Sequence, residues 1–259
     1  MAYTKEILTL AVEIGDQMLR NGAEIYRIED TVIHILRAYD IENFDVYVLS
    51  NGIFASANED KEDSCSMIRH VPLGVVNLSK ITALNQLSRE ICTHECSLID
   101  AWDRLEECKN LRPYSNLTRI LCCGLGCGAF AYLFGGQIID AVFAFLIGLM
   151  EQIALHAFTK HKVSHVLSNV FASVLVTILS ILVLLTGLPV MQDKIVIGAI
   201  MPLVPGIAFT TSIRDFYNGD YLSGTIHLID ALLTALCIAV GVCISIFICQ
   251  KIAGGVFPL

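Results

Sequence analysis

The sequence predicts a membrane α-helical bundle of about five transmembrane helices preceded by a small cytosolic α+β domain, and three observations carry that expectation. Mean hydropathy is +0.66, with 55% hydrophobic residues and only 16% charged, whereas soluble domains carry about 25% charged residues. The charge is also unevenly placed. Residues 1–112 hold 11 of the 17 Lys+Arg and 19 of the 25 Asp+Glu, and so the whole net charge of −8, while residues 113–259 hold six of each sign. Finally, beyond Pro113 the apolar stretches reach the length of about 20 residues that a bilayer core requires of a helix.

In the front domain, Ile7, Leu10, Ala11, Ile14 and Met18 recur at helical spacing over 5–20, and Asn21-Gly22 stops that helix. A second helix over 24–39 places Ile25, Ile28, Val32, Ile35, Leu36 and Tyr39 on one side. The period then changes to two. Phe44, Val46 and Val48 alternate with Asp45, Tyr47 and Leu49, and Ile53, Ala55 and Ala57 alternate again, with Asn51-Gly52 between them as a hairpin signal. Residues 66–72 add a third strand. Helices over 78–92 and 94–109 follow, the second burying Leu98, Trp102 and Leu105. The first 20 residues carry Lys5, Glu6, Glu13 and Asp16 in an amphipathic pattern rather than a secretory leader, which predicts a cytosolic front domain.

Five spans are expected, at 117–135, 138–158, 166–187, 194–213 and 224–250. The first contains Gly124, Gly126 and Gly128, residues that suit close packing of helices in lipid. The fourth contains Pro202 and Pro205-Gly206 near its middle, where missing backbone donors predict a broken helix. Arg104, Lys109, Arg112 and Arg119 crowd the start of the first span, and Lys160, Lys162 and Arg214 fall in loops on the same side. Lys194 alone falls opposite, so the N-terminus is expected inside and the C-terminus outside.

An ionisable residue inside a bilayer costs about 2.5–3.5 kcal/mol on insertion scales and asks for a reason. Asp230 lies in the fifth span with His227 three residues earlier on the same face, and Glu151 lies deep in the second; the three form the expected proton pathway. Asp140 stands at the outer end of the second span, facing water or headgroups, and Asn169 opens the third as packing glue. The half-helix after the break offers free N–H groups to an anion, with Thr210, Thr211 and Ser212 along it and Arg214 at its inner end. Pro205, Gly206, Thr210, Thr211 and Arg214 are therefore the expected substrate-binding residues, suited to a solute that bears a carboxylate.

Catalytic and cofactor motifs are a poorer fit. G-x-S-x-G, the P-loop, H-E-x-x-H and the dinucleotide fingerprint are all missing from the sequence. Cys92-Thr-His94-Glu-Cys96 with Cys108 downstream matches none of the usual zinc spacings. Cys122, Cys123, Cys127, Cys237, Cys243 and Cys249 lie in spans, where cysteine behaves as a small apolar residue. No enzyme activity, metal, cofactor or nucleic-acid partner is expected.

Two stretches resemble a known family. Asn21-Gly22-Ala23-Glu24-Ile25-Tyr26-Arg27-Ile28-Glu29 resembles the G-A-x-x-Y-R-x-E signature of the threonine/serine exporter family. Pro205-Gly206, followed by Thr210, Arg214-Asp215, Gly219-Asp220 and Ser223-Gly224, resembles that family's long motif linking its fourth and fifth spans. The resemblance covers essentially the whole chain. It implies the longer chain of a split two-component exporter in a bacterial plasma membrane, completed by a smaller transmembrane subunit into a hetero-oligomer. Split members are associated with export of small carboxylates such as succinate, fused ones with threonine and serine. Glu24, Arg27, Glu29, Asp215, Gly219 and Asp220 take the family's motif positions, the first three as an ion-pair network or a substrate site. The expected function is thus proton-driven export of a small carboxylate-bearing metabolite. The alternatives are a membrane-anchored enzyme and a metabolite sensor, each with its function in the cytosolic domain.

Overall fold

A computed structural model of the chain describes residues 2–60, 63–72, 74, 76–112 and 114–252. Contacts divide it into two compact units: Met1–Pro113 with Thr211–Ile226, and Tyr114–Thr210 with His227–Leu259. Pro113, where the change of composition falls, lies outside the described residues.

In the first unit, α1 (Ala2–Arg20) and α2 (Ile25–Ala38) bury the apolar faces that their spacing predicts; Ile7, Leu10, Ile14, Met18, Ile28 and Ile35 are fully enclosed. Each such side chain contributes about 1.5–3 kcal/mol through burial. The turn between these helices is closed by Gly22, which at φ +76° takes the left-handed position. There the N–H of Gly22 reaches Leu19 O and that of Ala23 reaches Met18 O, a Schellman stop. The strands β1 (Asn43–Leu49), β2 (Gly52–Asp60) and β3 (Asp63–His70) form an antiparallel sheet in the order β1-β2-β3. Phe44, Val46 and Val48 pair with Ala57, Ala55 and Ile53, which puts all six on the helix-covered face.

The hairpin differs from expectation by one residue. Leu49 pairs with Gly52, so the two loop residues are Ser50 and Asn51, and Gly52 opens the next strand. Neither loop residue has positive φ, so the turn is not the type I′ that Asn-Gly signals. The reason is tertiary: Ser50 is buried and its N–H donates to Ser223 Oγ at 3.3 Å, from a segment 173 residues away. Helices α3 (Leu78–Cys92) and α4 (Leu98–Lys109) complete the unit. The second begins four residues later than the spacing predicts, because Ser97 Oγ accepts the Asp100 N–H and fixes the start there.

The second unit holds the spans α5 (Asn116–Leu133), α6 (Ile138–Lys160), α7 (His165–Leu185) and most of α10 (Tyr221–Ile252). Among the described residues four helices are long and apolar enough to cross a membrane, and the bent pair α8 (Gln192–Ile200, with a 3-10 turn to Leu203) and α9 (Gly206–Tyr217) makes up to five. That pair bends by 58° at the expected break. Of the first span's glycines, Gly124 and Gly128 face α6: a Cβ added there would come within 2.9 Å of Phe145 O and 2.8 Å of Ala141 O. Gly126 has open space beside it. The small-xxx-small spacing therefore lets α5 and α6 touch backbone to backbone, with Gly148 of α6 against Cys127 from the other side.

Candidate functional site

Two clusters of polar residues stand out, one in each unit. In the first unit the two motif stretches meet. Glu24 precedes α2, and its Oε1 is paired with Arg214 Nη1 of α9. Its Oε2 faces Arg27 Nη2 at 3.4 Å, so one carboxylate serves two guanidinium groups. One turn further along α2, Glu29 accepts the Val48 N–H; burial, more than the nearby charge of Asp220, pushes its carboxyl above the ordinary range. Asp220 is likewise pushed up, first by burial and then by Asp215. Tyr26, Glu29, Asp30 and Ile33 of α2 line a shallow cleft with Asn218 and Asp220.

The α9–α10 link owes its shape to local chemistry. Gly219 sits at φ +88°, its N–H bonded to Phe216 O while the Asp220 N–H reaches Asp215 O, a second Schellman stop. The motif glycine is thus explained by backbone geometry. Asp215 is 1% exposed and Ser212 fully buried, three residues apart on the packed face of α9, whereas Arg214 lies on the half-exposed side. Ser223, buried against Ser50, shares in this cluster. In the sequence it stands out only as part of the motif, by its place before Gly224.

In the second unit Glu151 of α6 is fully buried. Its Oε2 lies 4.0 Å from Cys127 Sγ, and its Oε1 has no hydrogen-bond partner among the described residues. Asp140, expected to face water or headgroups, is instead fully buried. Its Oδ2 accepts the Gln137 N–H at 2.7 Å and its Oδ1 the Met191 N–H at 2.8 Å, tying the start of α6 to the start of α8. A carboxylate holding two backbone donors has no need of water. A buried hydroxyl row on α7, Ser173, Thr177 and Ser180, is concealed in the sequence by the apolar average of the span.

The remaining expected residues are placed as follows. Asp230 is exposed on α10, beside the buried row of Ala231, Thr234 and Ile238, and His227 is half-buried on the same helix. Pro205 and Gly206 form the break before α9, where the Phe209 N–H closes on Pro205 O. Thr210 is exposed and turns its hydroxyl back to Gly206 O and Ile207 O, while Thr211 is half-buried.

Four to five apolar helices, one of them broken, define a polytopic membrane protein. The chain belongs to the threonine/serine exporter family: the family model ThrE, described as "Putative threonine/serine exporter", matches residues 9–249. It is also similar to the "Probable succinate transporter subunit YjjP" of Klebsiella aerogenes, 24% identical over 243 residues that cover 92% of each chain. No solved structure matches.

Proposed function

We propose that this chain is the cytosolic-domain-bearing subunit of a secondary transporter that exports a small carboxylate-bearing metabolite in exchange for protons across a bacterial plasma membrane. The observation that carries this reading is the pairing of Arg214, at the inner end of the half-helix α9, with the carboxylate of Glu24. A guanidinium that already holds one carboxylate is suited to exchange it for the carboxylate of a substrate. Arg214 thus receives the solute from the cytosol, Glu24 takes its place when the solute leaves, and the N-terminal end of α9 attracts the anion. The family, and the naming of the Klebsiella relative as a probable succinate transporter subunit, favour threonine, serine or a dicarboxylate as that solute.

Glu151 supports the proton role: its carboxyl group is buried among apolar helices, with one oxygen unpartnered among the described residues. Asp230 supports the partner. An acid exposed on a span would otherwise face lipid at a cost of about 2.5–3.5 kcal/mol, so its surface is where a smaller membrane subunit docks. The positive residues around the inner loops support a cytosolic N-terminus. Transport needs no covalent step, and the chain acts as a carrier and not as an enzyme.

The test is counterflow in proteoliposomes holding this chain with and without the smaller subunit, using labelled threonine, serine and succinate under an imposed pH gradient. Gradient-dependent flux of one of these solutes is expected only when both chains are present. No flux of any of them, with the partner bound, would overturn the reading and turn attention to the cytosolic domain.

A further inference from the structure

We infer that Cys123, Cys127 and Glu151 form a binding site for a zinc-class divalent cation inside the membrane unit. Cys123 and Cys127 are one turn apart on α5, so their side chains stack on a single face. Glu151 reaches the same point from α6, and the close approach allowed by Gly124, Gly128 and Gly148 brings the two helices near enough to share a ligand. The two Sγ atoms and a carboxylate oxygen all lie within 4.8 Å of one another. Tetrahedral zinc with metal–sulfur bonds of about 2.3 Å holds its donors roughly 3.7 Å apart, so the cluster needs to contract by about 1 Å.

The second observation is the state of the acid. Glu151 is fully buried with Oε1 unpartnered among the described residues, an arrangement that lowers its energy by taking up a cation, either a proton or a metal ion. The donor set discriminates among metals. Two thiolates select soft or borderline ions over magnesium and calcium, and the carboxylate disfavours Cu(I), which leaves zinc and its chemical neighbours. Three protein ligands leave a fourth position open. Binding releases the thiol protons, since thiolate is the ligand. In the transport reading above, an ion held here would occupy the proton-carrying acid and slow exchange; that consequence rests on the transport reading, whereas the site itself does not.

The test is optical and independent of transport. The purified, reduced full chain is titrated with Co2+. The expected result is one cobalt per chain, with a thiolate-to-cobalt charge-transfer band that equimolar Zn2+ abolishes. Replacing the other cysteines with serine should leave the band, and adding Cys127→Ser to that background should remove it. Glu151→Gln should weaken cobalt binding by more than about tenfold. Absence of the band in the wild-type chain would overturn the proposal, and so would its survival at full strength without Cys123 and Cys127. The wild-type titration decides against the site even where a variant fails to fold, and an unchanged elution profile shows that a lost band reflects a lost ligand.

Discussion

Glu24 holds two arginines at once, and each contact is of the partly exposed kind that contributes about 0.2–1 kcal/mol. If the substrate carboxylate competes with Glu24 for Arg214, then Glu24→Gln should lower the KM for export about 1.4- to fivefold, the factor to which that energy corresponds. Arg214→Gln should lower kcat/KM by more than about tenfold. An unchanged KM in Glu24→Gln would remove the competition from the mechanism. Glu29 offers a test by pH. Its carboxyl is pushed up in the fold, so between the ordinary carboxylate pKa near 4.5 and the raised one the folded state binds more protons than the unfolded state. Its contribution to stability is therefore fully present below that window and lost as pH rises through it. Glu29→Gln keeps an acceptor for the Val48 N–H, so its melting temperature should fall less than that of the wild type between pH 4 and 7. Equal slopes would assign the shift elsewhere.

At the scale of elements, the turn that ends α9 and the clamp at the start of α6 carry the architecture. Asp140 supplies acceptors for two backbone donors at a point where α6 and α8 begin together. Asp140→Ala removes the acceptor from both part-buried N–H groups, at a net cost of about 0.5–1.5 kcal/mol each. Hydrogen exchange should consequently quicken at Gln137 and Met191 before the rest of the bundle opens; uniform quickening would mean that the clamp is not local. The contact of α5 with α6 is of a different kind, resting on missing side chains. Much of it was legible in the sequence, because glycines four residues apart in an apolar span announce close packing. Which of the three glycines faced the partner helix was not legible, since Gly126 differs from its neighbours only in azimuth.

For the molecule as a whole, the outer surface of α10 is the feature that a single chain leaves unexplained, with Asp230 exposed among Ile229, Leu232 and Leu233. Asp230→Leu removes the acid and presents an apolar surface that lipid accepts. If Asp230 is bonded across to the smaller subunit proposed above, co-purification of that subunit should fall severalfold in Asp230→Leu and recover partly in Asp230→Asn, which keeps hydrogen-bonding capacity. Equal recovery of the partner with all three side chains would place the docking surface elsewhere.

Hydropathy, charge distribution and the 3.6 and 2.0 periods by themselves pointed to a mostly helical chain with several apolar helices, to the helix stop at Gly22 and to the alternation of the strands. These are local properties, set by each segment's own composition and by the solvent it must face. Tertiary structure alone decided that Glu24 meets Arg214, that Ser223 takes the Ser50 N–H and reshapes a turn, that Asp140 is buried, and that two cysteines gather with Glu151. Each of these joins segments well separated along the chain. A carboxylate's partner depends on which backbone passes beside it in space, and neither spacing nor hydropathy records that.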